Sequence, residues 1–166
     1  MSTAFKNWSL QKRHHLSISG GSEAVRYYGS VGFTDQDAFY KNSATYYKQY
    51  SFRLNVDAKI NKYISTNIGI NGRREDRNYP TESANSIFRM LMRGRPTEPE
   101  VWPNGKPGPD IENGQNPYVI TTNATGYQST PSDVFQLNAG VNITNPWIEG
   151  LTLTLSGAVD KNNTTS

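Results

Sequence analysis

Eleven consecutive residues, Tyr50-Ser-Phe52-Arg-Leu54-Asn-Val56-Asp-Ala58-Lys-Ile60, alternate apolar and polar without a break. On a helix this pattern would scatter the apolar side chains round the whole circumference. On a strand it puts all of them on one face. Phe135 to Thr144 and Leu151 to Asp160 alternate in the same way, and His15 to Ser19, Tyr27 to Phe33 and Ile64 to Asn71 do so over shorter runs. Six strands are therefore predicted, each with one apolar and one polar face. The fold class that follows is all-β, an antiparallel meander of about six strands.

The connections alternate too. Gly20-Gly21-Ser22-Glu23, Asn61-Lys62-Tyr63 and Asn145 to Gly150 are short and rich in turn formers. Between them lie long links, Asp35 to Gln49 and then Arg74 to roughly Pro131. The second is too long for an irregular connection inside a compact soluble domain. It holds one helical window, Glu82 to Met92, with Ile87, Phe88, Leu91 and Met92 at helical spacing, Thr81 as the expected N-cap and Gly94 as the stop. Short turns at one end, long loops at the other and strands of about 9–11 residues fit an arc of a transmembrane β-barrel. A soluble β-sandwich, whose strands also alternate, is the alternative, and would make the chain a carbohydrate- or surface-binding module.

Composition favours the barrel. Only 34% of residues are hydrophobic and 19% charged, whereas Asn, Ser and Thr number 17, 15 and 15. A solvated soluble sheet favours Lys and Glu on its wet face; here that face is Asn, Ser, Thr and Gly. Tyr63 and Trp147 sit beside short turns, where an interfacial aromatic girdle would lie. The absence of cysteine excludes thiol catalysis and disulfide frameworks. A net charge of +3 without a basic stripe gives no reason to expect nucleic acid. The densest cluster, Arg73-Arg74-Glu75-Asp76-Arg77, is mixed in sign and reads as a solvated face.

His15 to Glu23 followed by Arg26 to Gln36, the strand Tyr50 to Asp57, the proline-rich run through Arg95-Pro96-Thr97-Glu98-Pro99, Asn104-Gly105 and Asn116-Pro117, and then Trp147 to Leu153 resemble, in order and spacing, the barrel of SusC-like (RagA/SusC) TonB-dependent outer-membrane transporters. Residues 1–12 are then a lead-in, 13–161 an internal barrel segment with a long outer loop at about 74–131, and 162–166 a tail. Nothing in the chain resembles the family's plug or TonB box. The resemblance implies part of an importer of glycan or peptide nutrients in the outer membrane of a Gram-negative, Bacteroidetes-type bacterium. It also implies a SusD-like surface lipoprotein and the TonB complex as partners, with no enzymatic activity and no cofactor. An isolated segment with two open sheet edges and an apolar face is expected to self-associate.

Candidate chemistry is sparse. His14 and His15 are neighbours on a strand and point to opposite faces, so they make a poor metal site. Asp35 and Asp37 read as a strand-end turn, and Asp110 to Gly114 as a plain turn. Gly20-Gly21 suits a tight hairpin. The aromatic residues of the long links are the better candidates. Tyr40, Tyr46, Tyr47, Tyr79, Trp102, Tyr118 and Tyr127 could meet a substrate or the lipoprotein, or simply pack the loops. Arg53, Lys59 and Arg73 on the polar face either guide substrate or neutralise Asp57 and neighbouring carboxylates.

Overall fold

The computed structural model describes residues 5–41, 43–95, 97–111, 114–148 and 150–165. Its framework is one antiparallel sheet. The long strands are β1 (Gln11–Gly21), β2 (Val25–Asp37), β3 (Tyr46–Lys59), β4 (Ile64–Pro80), β6 (Ser132–Thr144) and β7 (Thr152–Thr164). They lie in the order β1-β2-β3-β4-β6-β7, and a three-residue strand, β5 (Tyr127–Ser129), pairs only with the far end of β4. The meander agrees with the alternation. All three short turns fall at one end of the sheet and both long links at the other. Among the described residues no second sheet covers either face, which a sandwich would require.

Register turns six separate alternations into two continuous faces. Leu54 lies opposite Gly29 and Ile70, and Ile70 in turn opposite Leu137, which faces Val159. Leu16, Val31, Phe52 and Phe135 belong to the next row of the same face. These apolar side chains are uncovered: Leu16 is 72% exposed, Phe52 46% and Leu155 57%. The opposite face carries Ser17, Ser30, Arg53, Asn71, Gln136 and Asp160 in one row. Asn71 donates to Gln136 across β4 and β6 (3.0 Å), and Thr154 to Asn142 across β6 and β7 (2.8 Å).

The apolar face is a band with two borders. From Tyr50 to Ile60 is ten residue steps, about 33 Å along the strand, or roughly 25 Å of membrane depth at a tilt near 40°. At the long-loop end Lys12, Asp35, Lys48 and Asp76 lie side by side across β1 to β4 with alternating charge. Just below them Arg74 meets Asp76 (3.5 Å) and Asp133 (3.9 Å). An aromatic row underlies this border: Phe33 against Tyr50 (5.1 Å between ring centres), with Phe52 and Phe135 beside them. At the short-turn end stand Tyr63, held under the Lys62 ammonium, and Trp147, 90% exposed.

The turns are built by Asn and Gly. The Asn61 carboxamide oxygen accepts from the Tyr63 and Ile64 N–H groups, and that of Asn145 from Trp147 and Ile148. Both are Asx turns. At Gly21 a Cβ would stand 2.3 Å from the Val25 carbonyl, so the β1–β2 turn closes only on glycine. Gly72 serves packing instead. The Phe52 ring lies across it, 2.1 Å from where a Cβ would be.

The buried apolar cluster of the described residues lies in the loop cap and not in the sheet: Ile87, Met90, Leu91 and Ile120, with Phe5 and Tyr40 packed on it. Helix α1 (Ala84–Arg93) supplies three of these at i, i+3, i+4 spacing. Its N-cap is Ser83, whose hydroxyl accepts from the Ser86 N–H (3.2 Å), and not the expected Thr81; Gly94 is the C-cap as expected. Phe88 and Met92, included in the helical spacing, stand 51% and 74% exposed, while Met90 is buried in their place. Helix α2 (Pro117–Ile120) is capped by Asn116. The same carboxamide donates to the carbonyls of Glu100, Gly108 and Pro109, tying down the proline-rich run. Of the expected Asp110–Gly114 turn, residues 112 and 113 lie outside the described residues.

The two faces predict opposite tolerance at adjacent positions. Leu54 is near mid-band on the apolar face and Asn55 is next to it on the polar face. With the chain assembled in phospholipid vesicles, Leu54→Arg should lower its stability to urea by about 2–4 kcal/mol, the cost of a lipid-facing Arg near the midplane. Asn55→Arg should cost under about 1 kcal/mol. Equal costs would contradict the assignment of faces.

Candidate functional site

Strand parity runs on past the apolar band, and this is what builds the site. β4 is 17 residues long, and its last turns of pleat, from Glu75 to Pro80, rise beyond the charged border. On the polar side this extension presents Glu75, Arg77 and Tyr79, with Arg73 just before it, and β3 presents Tyr47, opposite Arg77. The mixed-sign cluster Arg73–Arg77 is therefore two clusters. Arg74 and Asp76 belong to the border of the apolar face; Arg73, Glu75 and Arg77 share the polar face.

Glu75 is the centre of the second group. Its side chain is only 10% exposed and accepts from both arginines, Arg73 Nε at 3.2 Å and Arg77 at 2.5 Å. One carboxylate between two guanidinium groups leaves a net positive charge. Arg77 also lies over the Tyr47 ring (5.3 Å), and the Tyr47 hydroxyl donates to Gln49 (2.6 Å). The Arg77 Nε–H is buried without a hydrogen-bond partner, as is the Thr45 hydroxyl beside it.

Above this cluster a cavity of about 890 Å³ opens between the β2–β3 link and α1. Tyr40, Tyr47 and Tyr79 all line it, joined by Phe5, Phe39, Tyr46 and Phe88. Phe5 stacks on Phe88 (5.5 Å) and meets Tyr40 (5.8 Å). Burial raises the Tyr40 phenol above its ordinary value. The wall at the lead-in is an ion pair between Lys6 and Asp37. Asp37 stands beyond the charged border, clear of the band, and the Lys6 hydrogen bond lowers its carboxyl below the usual range against a smaller opposing effect of burial.

Four of the seven aromatic candidates, Tyr40, Tyr46, Tyr47 and Tyr79, thus meet in one place, and Arg73 joins them through Glu75. The other three do not line this cavity. Trp102 sits in a tight loop closed by the Val101–Pro107 bridge and is 45% exposed. Tyr118 is on α2, and Tyr127 faces Pro80 from β5, 59% exposed. Tyr46, Tyr47 and Tyr79 belong to strands and not to loops, because β3 begins at residue 46 and β4 runs to 80. Arg77, Gln36, Phe39 and Phe88 are cavity residues that the alternation in hydropathy does not reveal. Continuing the parity of β4 past Arg73 would have found Arg77.

The remaining polar residues behave more simply. Arg26, Asp57, Lys59 and Asn67 line a smaller polar recess toward the short-turn end. His14 stacks near Phe33 on the apolar side while His15 faces the other way. Asp35 is a strand residue opposite Lys12 and Lys48, not part of a turn. Among the described residues no three His, Asp or Glu side chains are placed to hold a metal. Among the described residues no helix is long and apolar enough to cross a membrane, a criterion that does not bear on strands.

No family model matches the chain. Among curated proteins it is similar to the TonB-dependent receptor P39 of Formosa agariphila, with 27% identity over 93 residues, 56% of this chain and 9% of that protein. Among solved structures it superposes on the RagAB peptide importer in its closed-closed state with a TM-score of 0.67 and 24% identity, over 98% of this chain and 18% of that one. A second structure, of the RagAB peptide transporter, gives a TM-score of 0.65 and 26% identity over the same shares. The chain spans less than a fifth of the length of each of these proteins. Register, banded face, loop cap and both comparisons point the same way: in sequence and fold the chain is similar to part of a TonB-dependent receptor and to part of the RagAB importer.

Proposed function

We propose that the chain forms part of the barrel wall and the outer loops of a TonB-dependent importer in the outer membrane of a Gram-negative, Bacteroidetes-type bacterium. The observation that carries this reading is the sheet itself. It has an uncovered apolar band of membrane height, an Asn/Ser/Thr-rich opposite face, and a loop cap at one end only. The apolar face meets lipid, the polar face a water-filled lumen, and the cap the cell exterior. The imported nutrient is a peptide or glycan. A surface lipoprotein of the SusD type closes over the loops, and the TonB complex supplies the energy. The chain itself carries out no catalysis and needs no cofactor. Tyr40, Tyr47 and Tyr79, with Arg73 held behind them, line the outer mouth of the lumen. Trp102, Tyr118 and Tyr127 serve the loop surface, toward substrate or lipoprotein.

Orientation tests this reading. In cells expressing the sequence within its full coding frame, protein carrying it should fractionate with the outer membrane. Protease added to intact cells should cut within residues 97–111, and should reach the Asn61–Tyr63 turn only after permeabilisation. Recovery in the soluble fraction, or cleavage of the turn first, would contradict it.

The chain alone, removed from a membrane, has the outer edges of both β1 and β7 without a neighbouring strand among the described residues, and the whole band exposed to water. Six strands about 4.8 Å apart and a band of roughly 25–33 Å give a face of about 700–950 Å². Two such faces packed together bury enough for a standard-size interface. Light scattering without detergent should therefore report a dimer or larger species, and addition of micelles should dissociate it. A stable monomer in plain buffer would rule out the exposed band.

A further inference from the structure

We propose that the long-loop border of the apolar face is a docking site for an anionic, phosphate-bearing membrane lipid, held by the Lys161 ammonium. This goes beyond the transport role and rests only on the proposed orientation in the membrane. Two observations carry it. The first is the place of one charge. Lys161 lies opposite Phe135, in the apolar row that also holds Leu16, Val31 and Phe52, one row inside the Arg74–Asp133 border. Lys12, Asp35, Lys48 and Asp76 sum to zero across β1 to β4, and Arg74 answers Asp133 (3.9 Å). Lys161 is exposed and forms no ion pair among the described residues. It is the charge of this border left over. One row is two residues, about 5 Å of membrane depth at the tilt of a barrel strand. The lysine stem therefore lies along the apolar surface and lifts the ammonium to headgroup level. A cation at that depth is costly unless an anion meets it.

The second observation is a hollow of about 980 Å³ on the same face, reaching from β1 across to Lys161 on β7. Phe33, Tyr50, Phe52 and Phe135 line it with rings, and Arg74 and Lys161 bring charge to it. Rings suit an acyl chain, and the charged groups suit a headgroup. A free phosphate ion would leave the ring-lined part of the hollow empty. A zwitterionic lipid would bring its own cation towards Lys161. A second copy of the chain would have to offer a carboxylate, and Asp35, Asp76 and Asp133 on this face already have basic neighbours. An anionic lipid alone satisfies both charge and rings.

The test uses protein carrying the chain in its full coding frame, purified in detergent micelles. It is supplied with dioleoyl phosphatidic acid or dioleoyl phosphatidylcholine, and the lipid retained is counted by native mass spectrometry. Phosphatidic acid should be retained about fivefold or more over phosphatidylcholine, the worth of one basic residue at an anionic surface. Lys161→Gln should lower that ratio about fivefold, and Lys161→Arg should keep it. Lys59→Gln, which removes the same charge from the polar face, should leave it unchanged, and excess inorganic phosphate should not displace the lipid. Equal retention of the two lipids by the unaltered protein would overturn the inference, as would an equal loss from Lys59→Gln. So would displacement by inorganic phosphate, or a Lys161→Gln variant that loses a protein dimer instead of lipid. None of these results alters which segments a protease reaches from outside, so the lipid site and the orientation fail separately.

Discussion

Everything in this fold depends on a strand having only two faces. A pleated chain cannot choose its environment residue by residue; each position is committed to one side or the other by its parity. In this sheet the two sides need different solvents. Phe52, Leu54 and Val56 find no covering layer among the described residues, while Arg53, Asn55 and Asp57 lie on the other side. A shift of one residue in any strand would exchange the two sets, so register and solvent assignment are one constraint. This also explains why the chain is so polar and yet so aromatic. Half of each strand is wetted, and the rings collect at the borders of the band and in the loop cap.

Where the hydrophobic core sits follows from the same constraint. Among the described residues the sheet has none, because no second layer covers either face of its apolar band. The cap does have one, because loops meeting water on their outer side must bury something to hold a shape. Ile87, Met90 and Leu91 of α1 do so together with Ile120 of α2. Asn116 then fixes the proline-rich run through three carbonyls while capping α2. The cap in turn stations Phe88 and Tyr40 over the end of the polar face. The order of dependence runs from pleat to band, from band to overshoot of β4, and from overshoot to cavity.

Sequence legibility stops where hydropathy stops alternating. From Tyr50 to Ile60 apolar and polar residues take turns, and the strand is plain. From Arg74 to Asn78 both faces are polar, since the strand has left the apolar band. The alternation disappears although the strand does not, and so Tyr47 and Tyr79 looked like loop residues. The same blindness hid Arg77 within what read as one mixed-sign cluster. Thr81 and Ser83 are both acceptable caps by residue type, and only the path of the chain selects Ser83. Phe88 and Met92 show that spacing identifies a helix more readily than its buried side. The six alternating runs, their short turns and the resemblance to the transporter barrel were all readable, because each rests on local pattern. The cavity was not, because it is assembled from the lead-in, the β2–β3 link, two strand extensions and α1.

The central claim is that the two faces of one strand meet lipid and water respectively. A nitroxide scan of residues 50–58 in the chain reconstituted in lipid nanodiscs tests it most directly. Collisions with oxygen, which concentrates in the hydrocarbon layer, should peak at 50, 52, 54, 56 and 58. Collisions with a water-soluble nickel chelate should peak at 51, 53, 55 and 57. Even-numbered positions shielded from both reagents, as in a packed protein core, would contradict the account.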